Sequence, residues 1–155
     1  MTRRPFLAAL SALGLAPALA RAQVRSVEPL RLSDAEWKKR LPPAAYDVLR
    51  HEGTERPGTS ALNGEHRKGV FQCAGCELPL FASETKFESG TGWPSFFTSL
   101  PGAVVTKTDF KLIVPRSEYH CARCEGHQGH VFNDGPQPTG KRYCNNGVAL
   151  KFVAT

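Results

Sequence analysis

Cys73-Ala74-Gly75-Cys76 and Cys121-Ala122-Arg123-Cys124 are two copies of one four-residue unit, and their reading decides the fold. A Cys-x-x-Cys turn aims two thiolates at one ion, while Gly75, and the small or polar residues of the second turn, let the backbone curl and donate hydrogen bonds to sulfur. Two such knuckles complete a closed tetrahedral sulfur shell, which suits a structural zinc ion rather than a catalytic one. A redox reading competes, in which each pair closes as a disulfide or one pair exchanges disulfides in the manner of thioredoxin. Two identical pairs speak against it, and the glycine and proline residues around Cys73 and Cys76 do not provide the helix that such an exchanger needs. The knuckles stand farther apart than in a compact zinc ribbon. One long β excursion, residues 77–120, is therefore expected to leave the first and return to the second.

Outward from the knuckles, residues 69–72, 103–105, 110–114, 130–132 and 148–153 are short apolar runs that read as strands. Gly64, Gly90, Gly92, Pro101-Gly102, Pro115, Asp134-Gly135-Pro136 and Thr139-Gly140 mark turns between them, and no long helical period intervenes. A mainly β domain of antiparallel strands follows, rather than a parallel βαβ sheet. Before it, Ser33-Asp34-Ala35-Glu36 has the form of a capping box, so a short helix starts there. Pro42-Pro43 stops it or opens a second helix, which runs on through residues 44–50 and ends at Gly53; both are expected simply to cover one end of the core. A length of 155 residues and a 41% hydrophobic content fit one domain.

The first residues read differently. Arg3 and Arg4 precede an apolar run over residues 6–20, and small residues follow at Ala18, Ala20 and Ala22. Residues 1–22 are expected to be a signal peptide, with 23–155 as the single mature domain and a periplasmic or otherwise exported location. Thr2-Arg3-Arg4-Pro5-Phe6-Leu7 resembles the twin-arginine signal. The run is shorter than the roughly 20 residues of a membrane span, so no stable membrane anchor is expected. The net charge of +6 invites a nucleic-acid reading, yet Arg3, Arg4 and Arg21 leave with the signal, and the other 17 of the 20 basic residues face 14 acidic ones. Those charges are scattered, so no nucleic-acid partner is expected.

Of five cysteines, the knuckles take four and Cys144 is left without a partner. Lys141 and Arg142 precede it, and cationic neighbours favour thiolate over thiol, lowering the pKa from about 8.5. Cys144 is therefore a candidate nucleophile. Arg142-Tyr143-Cys144-Asn145-Asn146, preceded by His127-Gln128-Gly129-His130-Val131-Phe132 and Gly135-Pro136, resembles the B-type methionine sulfoxide reductases. Ser89-Gly90-Thr91-Gly92-Trp93-Pro94-Ser95-Phe96 is similar to that family's tryptophan-bearing loop, and both knuckles stand where its zinc ligands do. The resemblance runs from about residue 30 to the end.

The resemblance implies two antiparallel sheets, reduction of the R epimer of methionine sulfoxide in oxidised proteins, and a sulfenic acid intermediate. It makes Cys144 the nucleophile, Arg142 the residue that holds its thiolate, and His127 and His130 the candidate proton donors. Trp93 would offer a flat wall for the sulfoxide methyl group, Asn146 a hydrogen bond near the nucleophile or substrate, and Cys73, Cys76, Cys121 and Cys124 the shell of one structural zinc ion. His120, His51 and His66 are read as structural or exposed. One position departs from the pattern: Thr91 stands where many members carry a second cysteine that resolves the sulfenic acid. A thioredoxin-like protein or a small thiol is then expected to reset Cys144. The protein is expected to be monomeric. Two rival readings are a non-catalytic zinc module that binds a protein partner, and a thiol-disulfide exchanger working through one Cys-x-x-Cys pair.

Overall fold

The computed structural model describes residues 27–110 and 115–155. The signal-peptide expectation for residues 1–22 lies outside them, as do four residues of the run 110–114; Phe110 itself belongs to no strand and is exposed. Two helices come first, α1 (Asp34–Arg40) and α2 (Pro43–His51). The nine strands that follow are β1 (Gly69–Cys73), β2 (Pro79–Ala82), β3 (Lys86–Phe87), β4 (Ser95–Phe96), β5 (Val104–Asp109), β6 (Arg116–Cys121), β7 (His127–Phe132), β8 (Arg142–Asn145) and β9 (Leu150–Ala154). They form a three-stranded sheet in the order β2-β1-β9 and a six-stranded sheet in the order β3-β4-β8-β7-β6-β5, with every pairing antiparallel. No helix among the described residues is long and apolar enough to cross a membrane.

Aromatic side chains from both sheets fill the space between them. Phe81 of β2 stacks on Phe96 of β4 with ring centres 4.2 Å apart, and Phe71 of β1 meets the same ring edge-on at 4.9 Å. Tyr119 of β6 closes the cluster against Phe81, and all four residues are fully buried. Each such side chain contributes about 1.5–3 kcal/mol by leaving water, so this cluster is what holds the two sheets face to face.

The capping box at Ser33 is present. Ser33 N–H donates to Glu36 Oε2 at 2.8 Å, and Glu36 N–H donates back to Ser33 Oγ at 3.4 Å. Pro43 opens α2, but its left-handed cap is Glu52, with φ 56°, one residue before the expected Gly53. The helices also do more than cover the core. Arg40 Nε donates to the carbonyl of Gly75 at 2.6 Å, and Arg50 Nη1 donates to the carbonyl of Cys124 at 2.9 Å, so each helix grips one knuckle.

Candidate active site and metal centre

The knuckles are built alike. In the first, Cys73 N–H donates to Leu78 O at 2.9 Å and Glu77 N–H to Cys73 O at 2.8 Å; in the second, Cys121 N–H donates to Gly126 O and Glu125 N–H to Cys121 O, both at 2.9 Å. The residues that turn each chain are Glu77 and Glu125, with φ of 63° and 58°. This differs from the expectation placed on Gly75, which packs beside Trp37, Leu49 and the sulfur of Cys124. All four thiols are buried, and their sulfur atoms lie within 4.8 Å of one another. Cys73 Sγ is 3.6 Å from Cys124 Sγ, and Cys76 Sγ is 3.4 Å from Cys121 Sγ. Those separations are far beyond a disulfide bond of about 2.05 Å and near the edge of about 3.8 Å that a tetrahedral ion with metal–sulfur bonds of about 2.3 Å requires. Sulfur–sulfur hydrogen bonding drives the thiols apart in acidity, Cys73 and Cys124 upward and Cys76 and Cys121 downward. A buried set that cannot ionise together by itself is one that a cation completes. Gln128 Nε2 adds an N–H donor 3.3 Å from Cys73 Sγ. The four cysteines thus form a site suited to a metal ion.

On the six-stranded sheet, β8 lies between β4 and β7, which puts Cys144 opposite Ser95 on one side and His130 on the other. The register depends on Gly129, because a side-chain carbon there would overlap the carbonyl oxygen of Cys144. Trp93, His130, Phe132, Cys144 and Asn146 together line a cleft of about 240 Å³, with Thr54, Arg116 and Asn145 completing its walls. A wider groove of about 480 Å³ lies beside His120, between α2 and the edge strand β5, and no cysteine other than the buried Cys121 borders it. The smaller cleft, with a partly buried thiol on its wall, is the one that can do chemistry.

The acidity of Cys144 departs from the sequence expectation. Burial pushes its thiol above the ordinary value, outweighing the hydrogen bond with Thr91 and the positive charge of Arg142, which act downward. The reason is where the cations point. Lys141 Nζ reaches away to Asn133 Oδ1 at 2.6 Å, and the guanidinium of Arg142 forks onto Asp134 with two contacts of 2.8 Å while lying over Phe132. Arg142 tempers the effect of burial without reversing it. Thr91 Oγ1 sits 4.0 Å from Cys144 Sγ.

The two motif histidines lie edge to face with ring centres 5.6 Å apart, and only His130 borders the cleft. His130 borders the cleft, with Nε2 2.8 Å from Asp109 Oδ2, and Asp109 is in turn paired with Arg116 at 2.6 Å. His127 is only 2% exposed and lies beside it in the interior, with Nδ1 2.5 Å from the buried carboxylate of Glu118. Burial lowers its pKa to about 4, so it is neutral at neutral pH. Among the described contacts His127 does not reach the cleft. His120 bonds the carbonyl of Glu125 through Nδ1, in keeping with a structural reading.

Trp93 forms one wall, and its indole N–H donates to the carbonyl of Glu55 at 3.2 Å. Asn146 reaches the cleft, but its side chain serves the scaffold: Nδ2 donates to Gln128 O at 3.0 Å and Oδ1 accepts from Glu55 N–H at 3.0 Å. Asn145, a motif residue with no assigned role, is fully buried and accepts from Tyr119 Oη at 2.7 Å. Asp109, Glu118, Gln128 and Glu55 also escaped sequence reasoning. Each acts through a contact across strands or loops, and only Gln128 stood inside a recognisable motif.

Comparison with known proteins agrees with this arrangement. A sequence model described as the SelR domain matches residues 41–154. Peptide methionine sulfoxide reductase MsrB of Agrobacterium fabrum is 50% identical over 121 residues, covering 77% of this chain and 90% of that protein. MsrB of Methanosarcina barkeri is 54% identical, over 77% of this chain and 85% of its own length. The chloroplastic peptide methionine sulfoxide reductase B1 of Arabidopsis thaliana is 52% identical over 79% of this chain, which spans 61% of that longer protein. With both the domain match and this identity extending over most of its length, the chain belongs to the SelR family, that of the MsrB peptide methionine sulfoxide reductases.

Proposed function

We propose that this chain reduces methionine R-sulfoxide in oxidised proteins, with Cys144 as the nucleophile. One observation carries the reading: the single thiol outside the metal site opens into a cleft bordered by an indole and an imidazole. The Cys144 sulfur attacks the sulfoxide sulfur, and the oxygen passes to cysteine. Thiol plus sulfoxide becomes sulfenic acid plus thioether, so two electrons move from the cysteine to the substrate and no atom is left over. His130, held by Asp109, supplies a proton to the departing oxygen and recovers one from the thiol. Trp93 receives the methyl group of the R epimer.

Cys144 must then be released by an outside thiol. A thioredoxin-like protein or small thiol attacks the sulfenic acid with loss of water, and a second thiol cleaves the mixed disulfide. Thr91 at 4.0 Å supports this, since a hydroxyl cannot form the internal disulfide. The ion in the cysteine shell is zinc, supported by the all-sulfur donor set; it braces the fold, and its ligands touch no part of the cleft. Residues 1–22 direct export to the periplasm, supported by Arg3-Arg4 and the apolar run behind them; the exported form should begin at Gln23 on N-terminal sequencing, and a wholly uncleaved cytoplasmic pool would refute this.

The central test is an assay on separated R and S sulfoxides of a methionyl peptide, with Cys144→Ser alongside. Wild type should reduce the R epimer and the variant neither. Reduction of the S epimer alone would overturn the assignment.

A further inference from the structure

We propose that Glu55 is a positioning residue of the cleft, fixing the distance between Trp93 and Asn146 through its own backbone N–H and carbonyl and through its carboxylate. The proposal rests on the functional reading above. Glu55 lies in a strap, residues 52–60, that contains no helix or strand. With no ladder to hold it, the strap takes its place from a few specific bonds. The carbonyl of Glu55 accepts from the indole N–H of Trp93 at 3.2 Å, and its N–H donates to Asn146 Oδ1 at 3.0 Å. The two cleft residues are thus tied to the two sides of one residue.

The carboxylate holds that residue in place. Asn146 precedes the short 3-10 turn Gly147–Ala149, where an asparagine ordinarily caps the free backbone donors with its own side chain. Here that side chain is engaged by Gln128 and the strap, and it gives the turn no cap. Glu55 takes over: its Oε1 accepts from Gly147 N–H, and its Oε2 accepts from Val148 N–H at 3.2 Å. The exchange is reciprocal, with Asn146 fastening the strap and Glu55 capping the turn that Asn146 begins. A second tie, from Gly58 N–H to Gly92 O at 2.7 Å, couples the strap to the tryptophan loop. Cys144, by contrast, is seated in a strand between two neighbours and needs none of these bonds.

Loss of the carboxylate should therefore move the wall and leave the nucleophile. In Glu55→Ala, two backbone donors lose a charged acceptor, and KM for the R-sulfoxide peptide should rise about tenfold with kcat changed by less than about twofold. Discrimination between the epimers should narrow, and alkylation of Cys144 by iodoacetamide should keep its wild-type rate. Acrylamide should quench tryptophan fluorescence more strongly, a signal from Trp93 because Trp37 is only 3% exposed. Glu55→Gln retains one of the two acceptor oxygens without the charge and should fall between Glu55→Ala and the wild type in both properties. Wild-type KM and quenching in Glu55→Ala would overturn the proposal, as would equal losses in kcat, KM and alkylation in a folded variant. If Glu55→Ala does not fold, Glu55→Gln decides: intermediate KM and quenching support the role, and wild-type values for both overturn it. A wild-type chain that reduces neither epimer would overturn the functional reading, whereas the quenching contrast tests the placement of Trp93 independently of activity.

Discussion

Replacing Thr91 with cysteine should let the chain close a disulfide on Cys144 by itself. Thr91 Oγ1 lies 4.0 Å from Cys144 Sγ, and a sulfur at that place has about 2 Å to travel before it reaches the bond length of about 2.05 Å. The position lies outside the strands, between Gly90 and Gly92, both in left-handed backbone with φ of 71° and 90°. Closing the gap thus asks for a loop adjustment and leaves the sheet pairing intact. After one turnover without reductant, the wild-type chain should be heavier than its reduced form by about 16 Da, the mass of one oxygen on sulfur. Thr91→Cys should instead be lighter than its reduced form by about 2 Da, since the sulfenic acid loses water on meeting the introduced thiol. The new cross-link joins positions 53 apart, and restricting a loop of that length in the unfolded chain is worth about 4 kcal/mol at 25 °C. That corresponds to a Tm higher by on the order of 10 °C for the oxidised variant than for the reduced one. Intact-mass spectrometry and calorimetry read both effects. A Thr91→Cys chain that gains about 16 Da and no stability would refute the argument that this loop can deliver a thiol to Cys144.

Two further outcomes follow from the site. The purified chain should carry one zinc ion by elemental analysis, and its removal by a chelator should lower stability to urea by about 4 kcal/mol, the loop-closure value for the 45 positions between Cys76 and Cys121; unchanged unfolding of the metal-free chain would contradict a structural role. Because burial raises the Cys144 pKa, its alkylation rate should still be rising with pH where an ordinary thiol has levelled off, and Arg142→Ala should move the inflection higher while Asp134→Asn moves it lower; a plateau at or below the ordinary thiol range in the wild-type chain would refute the direction.

The knuckles, the capping box and the strand around Phe71 were legible because each is a local pattern whose geometry is set within a few residues. The strand Arg116–Cys121 was not: its residues Arg-Ser-Glu-Tyr-His-Cys look polar, and the buried Glu118 finds its partners in Lys107, His120 and His127 across three strands. The run 148–153 hid a boundary, since its first residues complete a tight turn before β9 begins at Leu150. The same limit applied to the site. Cys144, His130 and Trp93 were visible as residue types in motifs, whereas the division between His130 in the cleft and His127 in the interior depends on strand register, and the acidity of Cys144 depends on how deeply β8 is covered. Arg142 was visible as a thiolate partner in sequence and does act downward on Cys144, but its fork onto Asp134, eight positions earlier, was not.

The pairing of β1 with β9 has a consequence for how this molecule is made. The central strand of the small sheet is among the first produced by the ribosome, and one of its two neighbours is the last five-residue strand of the described chain. Until Leu150–Ala154 emerges, Phe71 lacks the strand beside it, and its contact with Phe152 does not yet exist. A nascent chain that has already displayed all five thiols must therefore produce Leu150–Ala154 before Cys73, which pairs with Leu150, gains its neighbour in the small sheet.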